Sequence, residues 1–178
     1  MRYIALLRGI NVGGNSKVEM IRLKKCFEKL GFTDVKTYIN SGNVVFSSEK
    51  TDALKLAAQT ERYLEGEFGF NIPTLIVNEG AIRKIVNEVS EEWQNDKQQK
   101  TDVLFLWSGF DDPKSVNIFS INKAHESLIY INGAMIWNVT REFQNQSKFP
   151  KQLMASPIYK NITARNINTV RKLNSMLN

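Results

Sequence analysis

The stretch Arg8-Gly9-Ile10-Asn11-Val12-Gly13-Gly14-Asn15-Ser16 constrains this chain more than any other. It follows an apolar segment, Tyr3 to Leu7, and precedes an amphipathic pattern that starts near Lys17. Glycine and asparagine at such density, between two patterned segments, make a strand-to-helix turn, because they accept backbone angles that other residues avoid. A turn of this kind can converge backbone N–H groups on an anion. The near match to the nucleotide-binding pattern G-x-x-x-x-G-K-S/T fails at Asn15, where the pattern needs a lysine for the β- and γ-phosphates. Lys17 is expected to point elsewhere on the helix, and Asp102, a candidate magnesium ligand, precedes its strand rather than ending it. An NTPase is therefore disfavoured. A plain anion-holding turn remains, beside the plainer reading of a tight bend whose asparagines bond their own backbone.

Taken in order, the periodicities predict an α+β protein. Tyr3 to Leu7 lacks clean alternation, as expected of a central strand covered on one side and flanked by neighbours. Ser16 and Glu19 have the spacing of a capping box, and the helix is expected to reach Leu30 and stop at Gly31. Val35–Ile39 and Val44–Ser47 read as a hairpin around Asn40-Ser41-Gly42-Asn43. Thr51 or Asp52 caps a helix to Phe68, and Pro73 introduces a strand from Thr74 to Val77. The order strand–helix–strand–strand–helix–strand is that of a ferredoxin-like βαββαβ lobe over residues 1–78. In that topology the glycine-rich turn and the Asn40–Asn43 turn share one end of the sheet.

Residues 79–178 form a second α+β lobe in this reading. Glu79 to Trp93 is a predicted helix with Ile82, Ile85, Val86 and Val89 inward, and Gln94 to Lys100 is a polar connector. Val103 to Trp107 is a buried strand, and Asp112-Pro113 opens a short helix to Phe119. Asn132-Gly133 joins strands Ser127–Ile131 and Ala134–Val139, the strongest hairpin signal in the chain. A short helix is expected around Phe149 to Met154. Thr163 is expected to cap a last helix with Ile167, Val170, Leu173 and Leu177 inward.

Charge narrows the choice of partner. The net +6 of the 178 residues is uneven: residues 1–78 carry +3, 79–110 carry −2 and 111–178 carry +5. No acid follows Glu142, whereas Lys148, Lys151, Lys160, Arg165, Arg171 and Lys172 do. That asymmetry suits a nucleotide, another phosphorylated small molecule or a nucleic acid. No apolar run is long enough to span a membrane, and the N-terminus lacks a secretory pattern. With one cysteine, Cys26, read as a half-buried filler on the first helix, the expectation is a cytoplasmic protein. No cofactor or metal constellation is visible, and the oligomeric state is left open.

Other motifs carry less. The Asn40–Asn43 turn precedes an apolar strand, as in an RNA-binding signature, but Asn43, Val45 and Ser48 stand where stacking rings are needed. Thr163-Ala164-Arg165-Asn166 places a cation and polar groups at an expected helix start, where anions are favoured. Ser147-Lys148 has nucleophilic residue types without the S-x-x-K spacing, and His125, the only histidine, has no serine elbow to serve. The tryptophans Trp93, Trp107 and Trp137 are expected in the core rather than in an exposed patch.

The segments Leu7-Arg8-Gly9-Ile10-Asn11-Val12-Gly13-Gly14, Lys17-Val18, Met20, Thr37-Tyr38-Ile39 and Ser41-Gly42-Asn43-Val44-Val45-Phe46 resemble the bacterial DUF1697 family. Ser147-Lys148, Thr163-Ala164-Arg165-Asn166 and Asn168-Thr169-Val170 resemble its closing motifs. Glu19, Asn40 and Ile167 depart from the family's proline, glutamine and tryptophan. The resemblance implies an α+β fold of ferredoxin-like pieces, supplies no activity, and implies that the polar stretches belong together. The leading expectation is a site for a phosphate-bearing anion. Its side chains are Arg8, Asn11, Asn40, Ser41, Asn43, Lys148, Arg165 and Asn166, and its backbone amides those of Gly13 and Gly14. The alternatives are a small enzyme acting on a phosphorylated metabolite, with Arg8 and Lys148 stabilising charge, and a protein-interaction module.

Overall fold

A computed structural model describes residues 1–14 and 16–177. The chain divides into two compact units, one of residues 1–82 together with the chain from Leu173 on, the other Arg83–Lys172.

In the first unit, strands β1 (Arg2–Leu7), β2 (Thr33–Tyr38), β3 (Asn43–Ser47) and β4 (Thr74–Asn78) form one sheet in the order β2-β3-β1-β4. Each neighbouring pair is antiparallel. Helices α1 (Met20–Lys29) and α2 (Ala53–Phe68) connect them. Tyr3, Ala5 and Leu7 of β1 join Leu23, Cys26 and Phe27 of α1 and Leu56 and Leu64 of α2 in one apolar cluster. Phe46 is its centre, with ring centroids 4.5 Å from Phe32 and 5.4 Å from Phe27. Ile4 and Leu6, pointing the other way, are fully buried as well. β1 is thus buried on both faces rather than one, which is why its sequence runs apolar without alternating.

Local chemistry sets the element ends. Asp52 accepts from the N–H groups of Leu54 and Lys55, both at 3.1 Å, and Gly69 ends α2 at φ 80°. Gly31, at φ 84°, lies just beyond α1. The capping box expected at Ser16 and Glu19 does not form. Glu19 is the residue before α1 and its side chain makes no capping bond. The Asn11 side chain binds both the N–H and the carbonyl of Val18. That holds residues 17–19 out of the helix, which starts at Met20 instead of near Lys17.

Helix α3 (Glu79–Glu88) is shorter than the expected run to Trp93. Beyond it Ser90, Glu91, Glu92 and Gln94 bond among themselves and to Gln99 in turns. The second unit holds β5 (Gln99–Leu106), β6 (Glu126–Ile131), β7 (Ala134–Thr140) and β8 (Ile162–Asn166), in the order β6-β7-β5-β8, again all antiparallel. Counted along each unit this is the same order as in the first sheet: second, third, first, fourth. Two 3-10 turns, Ser108–Phe110 and Pro113–Ile118, follow its first strand, and α4 (Phe149–Ala155) lies between its third and fourth. Asp102, expected to precede its strand, lies inside β5 opposite Trp137 and Asn166.

The largest local correction is at Thr163. It does not cap a helix; it pairs with Phe105 in β8, and α5 (Ile167–Ser175) starts four residues later. Asn166 takes the capping role, its Oδ1 accepting the Thr169 N–H at 2.9 Å. The burial of Ile162, Thr163 and Arg165 against exposed Ala164 follows a strand, and the β-branched pair Ile162-Thr163 favours one. Among the described residues no helix is long and apolar enough to cross a membrane.

Candidate functional site

β1 and β2 both run antiparallel to β3, so their C-terminal ends lie at the same edge of the first sheet. The turn leaving β1 and the turn joining β2 to β3 therefore meet, as the topology required. Leu7 N–H donates to the Gly42 carbonyl at 2.8 Å, and Arg8 N–H to the Pro73 carbonyl at 2.9 Å. The Asn11 amide is the clamp between the turns. Its Oδ1 accepts from Val18 N at 2.8 Å, and its Nδ2 donates to the carbonyls of Val18 and Asn40, each at 2.9 Å. Asn11 N–H closes the loop on the Ser16 carbonyl at 3.0 Å.

This corner uses left-handed backbone repeatedly. Asn11, Gly13, Gly14 and Ser16 have φ of 55°, 61°, 77° and 54°, and Ile39 has 49°. Gly13 and Gly14 are exposed. Gly42, at φ 76°, has a different constraint: a Cβ there would lie 2.7 Å from Leu7 Cβ and 2.8 Å from Ile10 Cδ1. Asn43 is fully buried, and its Nδ2 donates to the Tyr38 carbonyl and to Ser41 Oγ, both at 3.0 Å. Asn11 and Asn43 are thus occupied in holding the corner together, while Asn40 and Ser41 are exposed.

A cavity of about 670 Å³ opens at this corner. Asn11, Gly14 and Asn40 contribute from the two turns, and Lys17, Val18, Glu19, Met20 and Ile21 from the approach to α1 and its first turn. Lys17 was expected to point elsewhere, yet it lines the cavity because it lies before the helix. The sequence signal for the others was the apolar Ile21, 74% exposed where an amphipathic helix should be polar. Asn15, the position that broke the nucleotide-binding pattern, lies outside the described residues.

The model of the family described as "Protein of unknown function (DUF1697)" matches residues 1–137. The chain belongs to the DUF1697 family. It is also similar to the solved structure of the conserved bacterial protein SP0830 from Streptococcus pneumoniae. The two are 30% identical, with a TM-score of 0.84 over 99% of this chain and 98% of that one. No protein of curated function matches the chain.

The remaining sequence-nominated residues of this DUF1697 protein lie in the second unit. Lys148 precedes α4, exposed, without capping it. Arg165 is on β8 rather than at a helix start, 8% exposed, and donates to Thr163 Oγ1 at 2.9 Å and to the Ala164 carbonyl at 2.7 Å. Burial draws its guanidinium pKa down to about 10, since a low-dielectric site disfavours the charged form. Asn166 is engaged as the α5 cap.

Sequence reasoning missed the buried carboxylate of Glu126. It accepts from Trp137 Nε1 at 2.9 Å, Ser147 Oγ at 2.5 Å and Asn122 N at 3.2 Å. Ser147, weighed as a nucleophile, therefore donates its proton to a carboxylate that ties the start of α4 to the sheet. His125 stacks on Phe143, centroids 3.4 Å apart. Trp137 is buried, and Trp93 and Trp107 are half-buried. Cys26 is buried, which pushes its thiol pKa up. No group of three or more His, Cys, Asp or Glu able to hold a metal occurs among the described residues.

Proposed function

We propose that the first unit binds a phosphate-bearing anion, such as a nucleotide or nucleic acid, in the cavity beside the glycine-rich turn. The observation that carries this is the meeting, in the lining of one cavity, of Gly14 from the glycine-rich turn, Lys17 and a helix start that Glu19 leaves uncapped. Unsatisfied N–H groups and the positive end of a ten-residue helix favour an anion there. The second unit supplies a comparison. Its topologically equivalent corner is filled by Asp111, whose Oδ1 accepts from Gly133 N at 2.8 Å and from Tyr130 OH at 2.7 Å. A carboxylate in that place repels an anion.

Arg8, Asn11, Gly13, Gly14, Asn40, Ser41 and Asn43 form the first-unit part of this assignment, with Asn11 and Asn43 positioning the turns. Lys148, Arg165 and Asn166 belong to the second unit and are proposed as anion contacts there, separately from this cavity. The ferredoxin-like class is part of the same reading for the first unit, supported by its strand order and the two connecting helices. A cytoplasmic setting is supported by the single, buried cysteine.

The test is thermal unfolding with inorganic phosphate, ribose 5-phosphate, adenosine monophosphate and a short oligonucleotide, at low and high salt. A ligand at about a hundred times its Kd adds about 2.7 kcal/mol, or about 5–11 °C for a chain of this length. Lys17→Ala should reduce that shift, and Lys148→Ala and Arg165→Ala measure the second-unit positions. No shift with any anion refutes the reading and favours an interaction module.

A further inference from the structure

The cavity is not built for a bare phosphate. Its wall at the start of α1 is apolar: Val18 is buried beneath it, Met20 is half-buried, and Ile21 is 74% exposed. Two more large apolar side chains stand exposed on the turns that frame it, Val12 and Ile39. Ile39 is a β-branched residue held at φ 49°, a conformation that asparagine or glycine adopts at lower cost. An exposed apolar wall on a polar, cationic corner has no use for an inorganic anion, and it costs solubility.

Beside Asn11, which is engaged as the clamp, three polar side chains complete the lining. The Asn40 backbone carbonyl is held by Asn11, but the exposed Asn40 side-chain amide makes no hydrogen bond among the described residues, which leaves its two N–H donors and its carbonyl oxygen available. Lys17 supplies a cation, and Glu19 supplies a carboxylate without an ion pair among the described residues. A carboxylate opposes a bare dianion, whereas it accepts hydrogen bonds from sugar hydroxyls, as acidic residues do for ribose in dinucleotide sites. The lining thus offers an apolar wall, an amide, a hydroxyl acceptor and a cation within a volume suited to one small ligand.

We infer that the ligand of this site is a mononucleotide, with its base against Ile21 and Met20, its base edge at the Asn40 amide, its ribose at Glu19 and its phosphate toward Lys17 and the glycine turn. This rests on the anion-binding reading above and narrows it.

The experiment is titration calorimetry of the full chain with inorganic phosphate, ribose 5-phosphate, adenosine monophosphate and a single-stranded oligonucleotide, repeated on Ile21→Ser and Asn40→Ala. Both side chains are exposed, so both variants should fold. Adenosine monophosphate is expected to bind about tenfold to a hundredfold tighter than ribose 5-phosphate, the range one apolar group commands. Ile21→Ser should abolish that margin and leave ribose 5-phosphate binding unchanged. Equal affinity for the two phosphates overturns the inference while leaving anion binding intact, as does a margin that Ile21→Ser does not reduce. Binding of the oligonucleotide alone, lost steeply with salt, overturns it in favour of nucleic-acid backbone contacts. If no phosphate compound binds, the anion-binding reading falls as well.

Discussion

Adding one methyl group at Gly42 should destabilise the first unit through two separable effects. The residue has φ 76°, and a left-handed alanine costs about 1–2 kcal/mol relative to glycine. The new Cβ would also lie 2.7 Å from Leu7 Cβ and 2.8 Å from Ile10 Cδ1. Leu7 Cβ is fixed by the β1 backbone, whose N–H bonds the Gly42 carbonyl itself. The strands must therefore part, at an overpacking cost of about 1–3 kcal/mol. Together Gly42→Ala should lose about 2–5 kcal/mol, lowering the Tm by about 4–20 °C at the usual slope for this chain length. Gly31→Ala is the control, in the same unit at φ 84° but with no atom within 4 Å of the added Cβ. It should lose only the backbone share, about 1–2 kcal/mol. Urea and thermal denaturation of both variants, side by side, make the measurement. Equal losses would refute the close approach of the two turns on which the candidate site depends.

Asn11→Ala removes the clamp and leaves the buried Val18 backbone without its side-chain partners, a loss of about 1–3 kcal/mol; Asn11→Asp keeps the acceptor for Val18 N–H but sets a carboxylate oxygen against the carbonyls of Val18 and Asn40, so it should be no milder than Asn11→Ala, and amide exchange at Val18 checks both. Glu126→Gln puts an NH₂ group against donors on one side or the other, so it should cost about 1–3 kcal/mol and alter Trp137 fluorescence; an unchanged urea midpoint would argue against the buried network. The Tyr130 phenol is pushed from 10.0 up to about 12, first by burial and then by Asp111. Because the folded form holds that proton more tightly than the unfolded chain, its contribution is whole below pH 10.0 and disappears as pH rises through about 12. Phenolate absorbance should show a late-titrating tyrosine, and Tyr130→Phe should flatten the loss of stability in that window.

Wherever short-range chemistry decides, the sequence was sufficient. Asp52 before α2, Asn132-Gly133 between β6 and β7, Gly31 after α1 and the inward Ile167, Val170 and Leu173 of α5 all follow from neighbours within a few residues. The meeting of the two polar turns was legible too, because the order of strands and helices implies which ends of the sheet coincide. The tertiary structure decided what side chains do once distant residues arrive. Thr163 has the chemistry of a cap, but pairing with Phe105 outweighs its local preference and hands the cap to Asn166. Glu126 gathers Trp137 and Ser147 from other elements, so nothing beside it in sequence announces its role. Lys17 faces the cavity only because Asn11, six residues away, holds Val18 out of α1. The shared strand order of the two sheets leaves no trace of sequence self-similarity, because antiparallel pairing fixes backbone paths through main-chain hydrogen bonds, which many different side chains can accompany.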